Sequence, residues 1–265
     1  MKQIIVFMVA GMSSRFGGSL PKQFAKVGPN YETLIELSVQ DALSVHFDEI
    51  VFITNPKTEH LFRDLFKNVY KRKPVHYLPQ NVESFRQRPW GTTDAVCVLS
   101  QFPEKDSIFT IVNGDDLYGK SAFQLMEKNL SKNVGNYIGG LPILDTIIGD
   151  EKVNRGVITC DFSRVVNIEE RLNISRTDND IKNCLANVNF LILLQSTIQN
   201  LNRLLQNFKT KHEGDPKIEC FLTDCLNELI HDGKLEMAYI PLEEKVIGVT
   251  RQEDVEKVRQ NLLKR

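Results

Sequence analysis

The sequence predicts an α/β protein built on a mixed, mostly parallel sheet covered by helices. Two observations carry this expectation. Apolar runs of strand length alternate with stretches of helical period four times before Leu130, the rhythm of strand–helix–strand units that stack in parallel. Beyond Gly135 that rhythm gives way to successive strand-like runs, the middle two joined by a short connection, which extends the sheet with an antiparallel hairpin.

Residues 4–9 are continuously apolar, as in a strand buried on both faces. Residues 33–45 place Leu34, Leu37 and Ala42 at helical spacing. Residues 50–53 are β-branched and aromatic and stop at Asn55-Pro56, a strand ending. Leu61, Phe62, Leu65 and Phe66 mark a second helix, and residues 75–78, 93–99, 108–112 and 123–130 continue as strand, helix, strand and helix. Residues 137–143, 156–160, 165–169 and 185–194 read as strands, followed by a helix over 198–208. A further helix is expected over 218–230, with Asp215-Pro216 as its cap and first turn and Gly233 as its stop signal. A strand at 235–240 and a helix at 253–263, with Glu253 and Lys257 four residues apart, close the chain. No Pro/Gly-rich linker interrupts it, so residues 1–265 are expected to form a single domain.

The 265 residues are 42% hydrophobic and 25% charged, an ordinary globular composition. With 33 basic and 34 acidic side chains the net charge is -1, which argues against a nucleic-acid partner. The 5 cysteines are odd in number and include no CxxC pair, so reduced thiols in a cytoplasmic protein are expected rather than a disulfide framework or a zinc site. The apolar start is too short for a signal peptide, and no run reaches the ~18 apolar residues of a membrane span. A soluble protein that engages no membrane is expected.

Three loops carry the residues capable of chemistry. The first follows the N-terminal strand and contains Gly11, Gly17 and Gly18, with Arg15 inside it and Lys22 just beyond. Glycines let several backbone N–H groups face one anion, and two flanking cations suit a triphosphate. The loop is neither a P-loop nor GxGxxG, and a plain strand-to-helix turn with solvated cations is its bland alternative. The second is Asn113-Gly114-Asp115-Asp116, directly after the strand at 108–112. Carboxylates at the carboxyl end of a parallel strand lie where open α/β sheets bind ligands, and Mg²⁺ takes one or two of them plus phosphate oxygens. The third runs from Arg88 to Ala95, with Gly91 and Thr92 before a helix, Trp90 expected in the core, and Gln80 upstream offering an amide to a base edge.

These residues resemble the sugar-nucleotide pyrophosphorylases. Ala10-Gly11-Met12-Ser13-Ser14-Arg15 through Pro21-Lys22-Gln23, Trp90-Gly91-Thr92-Thr93-Asp94-Ala95 and Val112-Asn113-Gly114-Asp115-Asp116 are similar to that family's motifs in order and spacing. Arg155-Gly156-Val157, Val166 to Arg171, Asn187 to Phe190, Glu219 to Asp224 and Gly248-Val249-Thr250 continue the likeness almost to the C-terminus. The resemblance implies a Rossmann-like three-layer α/β/α fold of the nucleotide-diphospho-sugar transferase type, with 1–134 as a nucleotide-binding half, 135–250 as an acceptor-binding half and 251–265 as a C-terminal helix. It implies joining of an NTP, with UTP the family's frequent choice, to a sugar 1-phosphate or another phosphorylated acceptor, with release of pyrophosphate and with Mg²⁺ as cofactor.

Carried over by position, Arg15, Lys22 and Asp115 would be catalytic. Ala10, Gly11, Ser13, Ser14, Gln80, Gly91 and Thr92 would bind the nucleotide, and Asn113, Asp116, Gly156, Glu170 and Asn187 the acceptor. Asp115 would hold the metal, with Asp116 and Thr250 as further oxygen donors. Two departures stand out: Ser13 replaces a frequent glycine, and Thr250 replaces a frequent second metal-binding Asp or Asn. A non-catalytic nucleotide-binding regulator and a GT-A glycosyltransferase are the competing readings. The adjacent Asp115-Asp116, where Asp-x-Asp is usual, speaks against the glycosyltransferase.

Overall fold

In the computed structural model, which describes residues 1–11, 16–17, 20–104, 106–147, 152–249 and 252–263, the apolar N-terminal run becomes β1 (Lys2–Met8). Its side chains alternate between two cores. Ile4 and Val6 join one cluster and Ile5 and Phe7 the other, so an unbroken apolar run is what a strand covered on both faces requires.

The chain continues through α1 (Leu34–Ala42), β2 (Glu49–Thr54), α2 (Glu59–Phe66), β3 (Val69–Tyr70), β4 (Lys73–Pro79), α3 (Thr92–Cys97), β5 (Ser107–Asn113), β6 (Asp116–Leu117) and α4 (Gly119–Lys132). Thr33 and Glu36 close a capping box at the start of α1, each side chain accepting the other's backbone N–H. Then come β7 (Asn136–Pro142), β8 (Val153–Asp161), β9 (Arg164–Ile174), β10 (Leu185–Leu194), α5 (Gln195–Lys211), α6 (Leu222–His231), β11 (Met237–Pro241), β12 (Ile247–Gly248) and α7 (Asp254–Leu262).

Ten strands form one sheet in the order β3-β4-β2-β1-β5-β10-β7-β11-β9-β8. From β4 to β5 the pairing is parallel, and β10 runs antiparallel between β5 and β7. The β8–β9 hairpin is antiparallel, and β8 also pairs with β10. Helices α3, α5 and α6 cover one face through Val96, Leu201 and Leu226. On the other face α1, α2 and α4 contribute Val39, Phe62 and Phe123. This is the expected three-layer α/β/α arrangement with a mixed sheet. Among the described residues no helix is long and apolar enough to cross a membrane.

Three short strands, β3, β6 and β12, have no counterpart in the sequence expectation, and one helix starts later than expected. The helix expected over 218–230 begins only at Leu222. Asp215 does bond the N–H groups of Lys217 and Ile218, but as a local turn. The backbone that follows is committed elsewhere: the Cys220 N–H donates to Trp90 O and its carbonyl accepts from the Thr93 N–H. These tertiary hydrogen bonds hold Cys220 out of the helix and against the Trp90–Thr93 loop, and Thr92 Oγ1 accepts the first free N–H of α6, that of Leu222, at 2.9 Å.

Candidate active site

The turn after β5 is anchored from below. Gly114 N–H donates to Met8 O, and the Asn113 N–H reaches the Tyr118 hydroxyl, which in turn donates to Val188 O of β10 at 2.8 Å. The two carboxylates leave this turn in different directions. Asp115 pairs with the Lys22 ammonium. Asp116 accepts from the Asn113 amide at 2.9 Å and lies against Gly248 of β12, its partner in a two-stranded ladder. A Cβ on Gly248 would stand 2.3 Å from Asp116 Oδ1, so any side chain there would displace the Asp116 carboxylate. Burial and the adjoining Asp115 charge push Asp116 up to about 7, against the pull of the Asn113 amide, Lys22 and Arg155.

Beside the turn opens a cavity of about 480 Å³ between the carboxyl end of β5 and the β8–β9–β10 side of the sheet. Every acceptor-side residue expected from the sequence, Asn113, Asp116, Gly156, Glu170 and Asn187, lines it, together with Asp115 and Thr92. Gly156 and Glu170 are cross-strand partners in the β8–β9 hairpin. Asn187 sits at a bulge in β10, where the register shifts before Phe190 and Asn189 takes φ +57°. The Asn187 carbonyl oxygen of the side chain accepts the Asn189 N–H at 2.8 Å. Glu170 is pushed above its ordinary value by burial and by Asp224, with Arg155 pulling the other way.

The residues expected on the nucleotide side are arranged differently. Gln80 is buried, and its amide donates to Gly91 O at 3.0 Å and to Asp94 Oδ2 at 2.9 Å. Gly91 adopts φ +103°, and a Cβ there would stand 2.6 Å from Cys220 O; both facts demand glycine. Trp90 is in the core, as expected, under the Arg86 guanidinium at 3.5 Å. Ala10 is buried at the end of β1, whereas Gly11 is exposed. Neither Gln80, Gly91, Ala10 nor Gly11 lines the cavity. Ser13, Ser14, Arg15 and Thr250 lie outside the described residues.

Arg155, Asn189 and Thr223, which fall in the resembling segments without an expected role, and Asp145 also line the cavity. Arg155 adjoins Gly156, and the Asn187-Val188-Asn189 repeat is the trace of the bulge; both signals were present but carried no chemistry of their own. The oxygen donors suit a hard cation. Among the described residues there is no group of three or more His, Cys, Asp or Glu that could hold a metal.

Residues 6–176 match the model of the nucleotidyl transferase family. No curated protein matches the chain in sequence. Among solved structures, a UDP-glucose pyrophosphorylase complexed with UDP-glucose superposes at TM-score 0.71 with 15% identity, over 100% of this chain and 99% of that one. An inositol-1-phosphate CTP transferase from T. maritima gives 0.69 at 12% identity, over 99% and 96% of the two chains. A UTP-bound UGPase from Acinetobacter baumannii gives 0.67 at 16%, over 98% and 93%.

Proposed function

The chain belongs to the nucleotidyl transferase family, and from that premise we propose that it joins a nucleoside triphosphate to a sugar 1-phosphate or similar phosphomonoester, releasing pyrophosphate. The observation that carries this reading is the shared cavity. Asp115, paired with the Lys22 of the first loop, faces the same space as Glu170, Asn187 and Gly156. A triphosphate on the one side and a hydroxyl-rich phosphomonoester on the other would meet there. UTP is the triphosphate to try first, since two of the structural neighbours hold uridine nucleotides.

The chemistry asks little of the protein beyond placement. A phosphomonoester has a second pKa of about 6 and is largely dianionic near neutrality. One of its oxygens attacks the α-phosphorus, a new P–O bond forms, the bond from the α-phosphorus to the β-bridging oxygen breaks, and pyrophosphate departs with that electron pair. No general base is needed. Lys22, with Arg15 as its proposed companion, offsets the charge gathering on the leaving group, and Asn113 and Asp116 shape the floor of the cavity. Asp115, with Asp116 beside it, would hold Mg²⁺, which supplies charge neutralisation to the phosphates. The free thiols of all 5 cysteines fit a reducing cytoplasm.

The test is pyrophosphate release measured for each NTP against a panel of phosphomonoesters with Mg²⁺. One NTP–acceptor pair should yield pyrophosphate and the nucleotide-linked acceptor in equal amounts, and Lys22→Ala should lower its kcat by about 10²-fold, the scale of one lost transition-state charge contact. Absence of release from every pair would refute the reading.

A further inference from the structure

We infer that Arg155 is the group that receives the acceptor's phosphate and thereby sets the acceptor's orientation in the cavity. The inference rests on the proposed reaction and adds to it a residue and a polarity.

Arg155 is the only Lys or Arg among the described residues lining the cavity, where Asp115, Asp116, Asp145 and Glu170 are the carboxylates. Two of these already have cations of their own: Asp115 has Lys22 and Asp145 has Lys245. Arg155 lies within electrostatic reach of the remaining two, Asp116 and Glu170. A phosphate docked on it would therefore lie near both the turn that faces the triphosphate and Glu170. That is where the attacking oxygen has to be.

The guanidinium is also held in a way that leaves it open to an anion. Its Nη1 donates to Asn154 O at 2.9 Å and its Nη2 to Thr146 O at 3.1 Å. Arginine carries five N–H donors in a planar fork suited to phosphate, so three remain without a hydrogen-bond partner among the described residues. The group is partly buried, and desolvation pulls its pKa below the ordinary value. A desolvated cation with unused donors gains more from an incoming dianion than a solvated one does.

The alternatives on the acceptor side are excluded by placement. Arg171, opposite Arg155 in the β8–β9 pairing, is taken by Asp180 at 3.0 Å and Glu169 at 3.4 Å and does not line the cavity. Past Asn154, Glu170 and Phe221 the cavity runs into an open groove with Glu169 and Asp224 in its wall and no Lys or Arg among its described lining residues. A phosphomonoester can thus be seated only with its phosphate toward Arg155 and its uncharged body toward Glu170.

The experiment uses the full chain and the NTP–acceptor pair that releases pyrophosphate. Steady-state constants for both substrates are measured for wild type, Arg155→Gln, Arg155→Lys and Arg171→Gln, with Tm for each. Arg155→Gln should raise the acceptor KM at least ten-fold, the effect of losing a charge-assisted forked contact, while the NTP KM stays within about two-fold. Arg155→Lys should recover part of the loss, and Arg171→Gln should match wild type. An unchanged acceptor KM in Arg155→Gln, equal losses for both substrates, or an acceptor defect in Arg171→Gln would each overturn the assignment while leaving the transferase reading intact. Failure of wild type with every pair would remove the reaction itself, and this inference with it.

Discussion

The loop around Gln80 and the cavity around Arg155 are both rich in polar and charged side chains, yet they are finished in opposite ways. In the first, partners are internal. Both Gln80 amide contacts go to the chain itself, Asp94 is held by Lys209 at 2.7 Å, and Arg86 donates to the carbonyls of Arg88, Pro89, Asp215 and Ile218. In the second, Arg155 keeps unused donors and Glu170 has no hydrogen bond or ion pair among the described residues. Buried polar groups are normally matched. Gln80, Asp94 and Arg86 are buried and matched, as scaffold requires, whereas half-buried Arg155 and exposed Glu170 line the open cavity, where a ligand can reach them. The difference teaches that residue type alone does not separate the two; the partners do.

Four substitutions sharpen or break this contrast. The largest effect is expected in the turn after β5, at the wall of the cavity. Asp115→Asn should lower kcat about 10³-fold, at the upper end of a lost transition-state charge contact, with Tm changed by no more than a few degrees. Near-normal turnover would detach the turn after β5 from the chemistry. Next, Gly91→Ala should destabilise the fold by about 3 kcal/mol, because a Cβ there meets the Cys220 backbone and φ is positive. Urea denaturation measures it, and an undisturbed midpoint would mean that the Gln80 loop is not the rigid scaffold described.

Glu170→Gln probes the open side. The acceptor KM should rise about ten-fold, the scale of one lost hydrogen bond to a charged group, while stability holds because no internal partner is lost. A fall in Tm equal to that of Gly91→Ala would place Glu170 with the scaffold. The smallest effect is expected from Thr92→Val, which removes the hydroxyl that caps α6 at Leu222 N–H. Thermal unfolding should report a loss of about 1 kcal/mol. No loss would show that the cap is replaced by solvent.

The layered fold was legible because each strand and helix announces itself locally. The unbroken apolar run of β1 and the helical spacing of Phe62 and Phe66 follow from burial on a fixed period. Gly156, Glu170 and Asn187, expected on the acceptor side by resemblance, fall in short segments far apart in the chain and meet in one cavity. The sequence also established the loop of glycines and cations and the carboxylate pair after β5, because backbone freedom and charge are properties of the residues themselves. Only the tertiary structure decided which residues are spoken for. Asp215-Pro216 reads as a helix start, but the start moves to Leu222 because Trp90 and Thr93 claim the Cys220 backbone. Gln80 reads as an amide offered to a base edge, and in the fold its NH₂ donates to Gly91 O and Asp94 Oδ2. Arg155 reads as one cation among many, and becomes singular because Lys22 and Lys245 are already opposite other carboxylates. Hydrogen bonds and ion pairs between residues far apart in the chain have no local signature, so the availability of a polar group emerges only when the chain has folded.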